Sequence, residues 1–254
     1  MVTSDIRLCY HKKAPFQPLI MIILGFDGLE PSLVEKWQLK ELRQNYRGKT
    51  DLSEFKLLRT VALWSSFLTG RNMEDEIKND NLWDFQLKLE ETFLSKFQSP
   101  VAIDVPAVSY KQEGHKNERA LLRSFFESST SEEEKKIISE YDQVCWENHE
   151  ENKKDFFEVL NSKSDLVFGY FALTDTIAHL SFSDEEKTKR TYLEAEEITQ
   201  KTKEIRPKDN CIIISDHGMK LTGGFGDHAP EGFYSSNFET GLSYPKITDF
   251  FNLF

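Results

Sequence analysis

Seven side chains in the 254-residue chain have the types and placing for metal-assisted chemistry: Asp27, Thr60, Asp175, His179, Asp216, His217 and His228. Asp175 and His179 are four apart, so on a helix they share one face. A carboxylate and an imidazole on one face can hold a single cation. Asp216-His217, placed on a turn, can supply two further ligands. Three carboxylates, three imidazoles and one hydroxyl make a mixed oxygen and nitrogen set without thiolate. Such a set suits zinc, manganese or iron better than calcium. Seven groups exceed one tetrahedral site and are enough for two. Taken singly, each has a plainer reading. Asp27 and Thr60 can be helix caps, Asp175 and His179 a surface pair, and Asp216-His217-Gly218 a turn. The chemical case rests on their joint occurrence.

The elements expected to position them follow from hydrophobic pattern. Leu19 to Phe26 is a continuous apolar run, expected as a strand buried on both faces, with Asp27 at its carboxyl end. Pro31 suits the first turn of a helix carrying Leu33, Val34, Trp37, Leu39 and Leu42 on one face. A second apolar run, Phe55 to Leu58, is expected as a strand and precedes Thr60, and Val61 to Leu68 reads as a short buried helix stopped at Thr69-Gly70. Residues from about 74 to 163 are charge-rich and read as helical. Ile137, Ile138, Tyr141, Val144, Cys145, Phe156, Phe157 and Leu160 are the inward positions, and the charge run from Glu132 to Lys163 is a solvated face. Within this region 101–106 reads as a short strand. Asp165 to Phe171 and Cys211 to Ser215 are strands, Thr174 begins a helix, Asp184 to Ile205 is a longer one, and Gly223 to His228 is a glycine-rich loop. Strands alternating with helices predict an α/β fold with a mostly parallel sheet. Ligands in such sheets sit beyond the carboxyl ends of the strands, so all seven residues are expected at one edge.

Composition narrows the classes. A net charge of −11 and a pI near 5.1 argue against non-specific binding to nucleic acid or an anionic membrane. No apolar run reaches the roughly 20 residues of a membrane span. The stretch from Met1 to Pro18 is polar, unlike a secretory signal. Three cysteines, Cys9, Cys145 and Cys211, form no CxxC pair. That fits a reducing compartment, and the chain is expected to be cytoplasmic.

In order and spacing these residues resemble the alkaline phosphatase superfamily, in particular its type I phosphodiesterase/nucleotide pyrophosphatase branch. The matching pieces are Ile-Leu-Gly-Phe-Asp27-Gly, the run from Thr60 to Gly70, Thr-Asp175-Thr-Ile-Ala-His179, Ser-Asp216-His217-Gly-Met and Gly-Asp-His228-Ala-Pro-Glu-Gly232. The tail from Ile247 to Phe254 is similar to the helix that closes this family's domain. The resemblance implies a single alkaline-phosphatase-like domain over 1–254: a three-layer sandwich with a mostly parallel central sheet. Residues 73–163 would be a small helical flap over the site. It also implies a two-metal hydrolase of phosphate esters. Asp27, Thr60, Asp216 and His217 would hold one ion, and Asp175, His179 and His228 the other. Both ions would be zinc, or manganese as in some relatives. Thr60 would be the nucleophile, passing through a phosphothreonine intermediate. Three carboxylates leave two divalent ions with one net positive charge, enough to attract a small anionic ester despite the acidic chain. Neither a nucleic-acid polymer nor a membrane is expected as partner. The chain departs from the pattern at Ala62, where many members have proline, and at Leu63, where nucleotide pyrophosphatases have asparagine. Arg71 and Asn72 follow the Thr-Gly turn without the usual glycine-histidine-glycine, and Arg71 is expected to face solvent. A phosphomonoesterase, a phosphonate hydrolase, an inactive metal-binding relative and a plain α/β domain remain open as alternatives. A sulfatase does not fit Thr60-Val61-Ala62.

Overall fold

The protein, a computed structural model, is described over residues 20–77 and 79–254, with the side chains of 79–81 left aside. Cys9, Leu19 and the polar stretch from Met1 to Pro18 lie outside the described residues. The strands are β1 (Met21–Phe26), β2 (Tyr46–Asp51), β3 (Pro100–Ile103), β4 (Leu166–Phe171), β5 (Asn210–Ile214), β6 (Gly218–Thr222), β7 (Phe225–Ala229) and β8 (Glu231–Ser236). The helices are α1 (Pro31–Lys36), α2 (Thr60–Thr69), α3 (Gln112–Glu127), α4 (Ser131–Leu160), α5 (Leu173–Ser181) and α6 (Glu185–Ile205). A 3₁₀ helix, Ile247–Leu253, closes the chain.

The central sheet has six strands in the order β2-β8-β5-β1-β4-β3. Strands β3, β4, β1 and β5 pair in parallel, and β8 is antiparallel to both β5 and β2. The sheet is therefore mixed and mostly parallel, the α/β arrangement expected from the alternation. Alternating side chains of the central strands feed two cores. Ile23, Phe168, Tyr170, Ile212 and Ile214 face Trp64, Phe67 and Leu68 of α2 and Phe250 of the closing helix. Ile22, Leu24, Phe26, Phe171 and Ile213 face Val34 of α1, Phe156 and Leu160 of α4, and Tyr192, Ala195 and Ile198 of α6. Helices on both faces make three layers. Every residue of α2 is buried, which is why that helix has no polar face. Among the described residues no helix is long and apolar enough to cross a membrane.

Several expectations are corrected. The run from Phe55 to Leu58 is not a strand; it is an irregular lead into α2. The strand before Thr60 is β2, whose Tyr-Arg-Gly-Lys-Thr-Asp sequence has no apolar run because it is an edge strand. α1 ends at Lys36, and Gln38 takes a left-handed φ of 52°. Leu39 and Leu42 reach the core from turns instead. Between 79 and 96 the chain forms short 3₁₀ turns in place of an α-helix. Gly223-Gly224 is the tip of a β6–β7 hairpin, so His228 stands on a strand.

The β3–α3 connection is held by a buried ion cluster. His115 lies between Asp104 Oδ2 and Glu118 Oε2, at 2.7 Å from each. Its ring stacks on Tyr110 at 4.4 Å. Burial opposes the charged ring, but the two carboxylates outweigh it and raise its pKa from 6.5 to about 9. A group raised on folding stabilises fully below its unfolded pKa, and that stability is lost as pH rises through the folded value. Unfolding free energy is thus expected to fall by about 3 kcal/mol between pH 6 and pH 10 through this group. Urea titrations at several pH values should show this slope, and His115→Gln should flatten it. An equal slope in the variant would contradict the assignment.

Candidate metal centre

Three of the candidate ligands stand at or just beyond the carboxyl ends of neighbouring parallel strands. Asp27 follows β1, Asp175 lies in the first turn of α5 after β4, and Asp216 follows β5. The turn after β1 needs Gly28. Its φ is +67°, and a Cβ there would come within 2.9 Å of the Asp175 Cβ. That close approach brings the first two carboxylates together. Ser215 locks the turn after β5, accepting from Leu29 N–H and donating to the His217 carbonyl.

The three histidines are oriented in one way. Each ring donates its Nδ1–H to a backbone carbonyl: His217 to Gly218 (3.0 Å), His179 to Gly226 (3.4 Å) and His228 to Leu58 (2.5 Å). Each therefore turns Nε2 toward the carboxylates, as metal-ligating imidazoles do when a carbonyl holds the other ring nitrogen. His217 Nε2 lies 3.0 Å from Asp27 Oδ1, 3.6 Å from Asp216 Oδ2 and 3.8 Å from Asp175 Oδ1. His179 Nε2 is 3.2 Å from Asp175 Oδ2, and His228 Nε2 is 3.4 Å from Asp175 Oδ1. The groups form two sets, Asp27-Asp216-His217 and Asp175-His179-His228, with ligand atoms within 4.8 Å of one another in each. Asp175 Oδ1 joins them. The first set is enclosed, and His179 and His228 form the more exposed rim.

These atoms fit divalent cations. Asp27 Oδ1, Asp175 Oδ1, both Asp216 oxygens, His217 Nε2 and His228 Nε2 are buried without a hydrogen-bond partner. Unpaired buried polar atoms are costly, and here they converge. Burial, then the nearby Asp27 carboxylate, push the Asp216 carboxyl well above its usual range. Burial works the same way on Asp175, but His179 and His228 hold it well below that range. Burial disfavours charge on both rings, yet Asp175 raises the His228 pKa to about 9 and lifts that of His179 above its usual value. A field that retains protons on imidazoles also retains divalent cations, which displace those protons. Oxygen and imidazole donors without thiolate suit zinc or manganese.

Thr60 is the first residue of α2, not its cap; the N-cap is Arg59, without a side-chain cap bond. The first i→i−4 bond of the helix runs from Leu63 N–H to Arg59 C=O, so the amides of residues 60 to 62 find no partner within it. The Leu58 carbonyl that orients His228 lies two residues before Thr60, tying the helix start to the second set. Ala62 and Leu63 are fully buried, and the Leu63 side chain belongs to the core. Arg71 is exposed and pairs with Glu76.

The sequence profile described as type I phosphodiesterase / nucleotide pyrophosphatase matches residues 21–228. The chain belongs to this family. The matched region contains both sets and Thr60. Solved structures similar to the chain include murine ectonucleotide pyrophosphatase / phosphodiesterase 5, at 13% identity and a TM-score of 0.48, covering 81% of this chain and 58% of that one. An inactive threonine-to-alanine form of that murine protein, in complex with AMP, is similar at 12% identity and a TM-score of 0.44, with the same coverage. A mutant of TAB5 alkaline phosphatase with magnesium in its M3 site is similar at 12% identity and a TM-score of 0.43, covering 93% of this chain and 96% of that one. The chain thus spans 58% of the length of the murine relative. No curated protein sequence matches it.

Three features of the centre were not read from sequence. The Tyr170 hydroxyl donates to Asp27 Oδ2, and the Thr174 hydroxyl donates to the Asp27 carbonyl. The backbone carbonyls that orient the histidines carry no sequence signal. The hairpin bearing His228 did carry one, because a Gly-Gly pair such as Gly223-Gly224 is a two-residue turn signal.

Proposed function

We propose that the chain is a two-metal phosphodiesterase with Thr60 as nucleophile, acting on small phosphate diesters or nucleotide pyrophosphate bonds. The observation that carries this reading is the pair of convergent carboxylate–imidazole sets joined at Asp175. Asp27, Asp216 and His217, with Thr60, would hold one ion, and Asp175, His179 and His228 the other. Divalent ions, when bound, lower the pKa of a hydroxyl or a water and neutralise charge on the phosphate.

The chain's own groups do the rest. The free amides at the start of α2 bind a phosphate oxygen. The Thr60 hydroxyl gives its proton to solvent, its oxygen attacks phosphorus in line, the P–O bond to the leaving group breaks, the departing oxygen takes a proton from solvent, and a phosphothreonine forms. Water then attacks the same phosphorus, the Thr60–phosphorus bond breaks and the hydroxyl is restored. The carbonyl-anchored imidazoles keep Nε2 fixed throughout. The arm formed by α3 and the first half of α4 packs on α5 and on Phe225 of the hairpin. In this reading it flanks the site and sets substrate choice.

Hydrolysis of bis-p-nitrophenyl phosphate and p-nitrophenyl phosphate, each with zinc and with manganese, tests the reading. Faster turnover of the diester is expected. Preference for the monoester would replace it with a phosphomonoesterase. Bound metal without turnover of either ester would leave a narrow-substrate enzyme or an inactive relative.

A further inference from the structure

We propose that Tyr170 is a positioning residue that fixes which oxygen of Asp27 faces a cation; this rests on the two-metal reading above. Tyr170 is on β4, and its hydroxyl donates to Asp27 Oδ2. The ring is 2% exposed. Trp64 packs against it edge to face at 5.5 Å, and Tyr110 does so at 6.5 Å. No substrate can reach it, so its action passes through Asp27. Its backbone carbonyl accepts from the Asn152 side chain, which pins β4 to α4.

Asp27 is thereby held twice. Thr174 takes its backbone carbonyl and Tyr170 takes Oδ2. The remaining oxygen, Oδ1, has no hydrogen-bond partner and lies 3.0 Å from His217 Nε2. A carboxylate free to turn about Cβ–Cγ presents either oxygen, or both. With Oδ2 occupied by a buried donor, Oδ1 is the oxygen directed at the cation, and the carboxylate binds through one atom. The hydroxyl does for this carboxylate what the backbone carbonyls do for the three imidazoles. Asp216 has no such donor; both its oxygens lack hydrogen-bond partners among the described residues. Loss of the Tyr170 hydroxyl should therefore be felt in the set that contains Asp27, and not in the set of Asp175, His179 and His228.

The test is zinc binding to the full chain, stripped of metal and titrated against a competing chelator. Wild type is expected to bind two ions. Tyr170→Phe keeps the ring and removes the donor, and should weaken one of the two sites by about 10- to 100-fold. Asp27→Asn should weaken that same site further, and His179→Gln the other. A purely structural role would weaken both sites together in Tyr170→Phe. That result, or two unchanged affinities beside a two-site wild type, would overturn this inference alone. A wild type that binds fewer than two ions would overturn the two-metal reading and this inference with it.

Discussion

Thr60→Ala is expected to lower turnover of bis-p-nitrophenyl phosphate by about 10⁴-fold or more, because the rest of the first turn of α2 offers no hydroxyl in the nucleophile's place. Val61, Ala62 and Leu63 follow it with apolar side chains. The fold should tolerate the change. Thr60 is the first helical residue and not the cap, and alanine is a strong helix former. The substitution should cost about 1 kcal/mol or less. The set of Asp175, His179 and His228 does not include Thr60, so zinc at that set should be retained. Kinetics and a zinc titration on one preparation separate these effects. Turnover within about tenfold of wild type would remove Thr60 from the reaction.

Asp216→Asn should move function and stability in opposite directions. Asp216 is fully buried and neither of its oxygens accepts a hydrogen bond. Burial, then Asp27, hold its carboxyl well above the usual range. A carboxyl raised on folding contributes stability that is full below its unfolded pKa and is lost as pH rises toward and through the folded value; its ionised form opposes folding unless a cation is present. Asparagine has nearly the same shape and no charge. With a chelator, the variant is expected to melt several degrees above wild type. With saturating zinc, wild type gains stability by mass action and the variant gains much less. Turnover should fall by about 10³-fold. Melting curves with chelator and with zinc check both directions. A variant that is less stable without metal, yet keeps the full zinc-induced shift, would show that Asp216 is a structural group and not a ligand.

The parts legible in sequence are those with a two-faced apolar signature. Met-Ile-Ile-Leu-Gly-Phe, Leu-Val-Phe-Gly-Tyr-Phe and the Cys-Ile-Ile-Ile run of β5 are buried on both sides, so each reads as a central strand and points to the polar residue after it. Asp27, Asp175 and Asp216 were visible for that reason. Thr60 was visible through the apolar helix behind it and the family pattern, although the strand assigned before it does not exist. β2 was hidden because an edge strand with exposed Tyr46, Arg47 and Lys49 has no apolar period. β8 was hidden because Glu231 to Ser236 ends in two serines that are buried only through partners distant in sequence. Ser235, for example, donates to the Leu42 carbonyl. The role of Tyr170 could not be read because it depends on strand register. β1 and β4 align Gly25 with Tyr170, and this sets the phenol against Asp27 two residues on.

The most direct measurement is turnover of bis-p-nitrophenyl phosphate by metal-stripped protein as zinc is returned in counted equivalents. The two sets predict no turnover without metal, and full turnover only when the second equivalent is bound. Turnover that persists in chelator, or a chain that binds no zinc, would contradict the account at its centre.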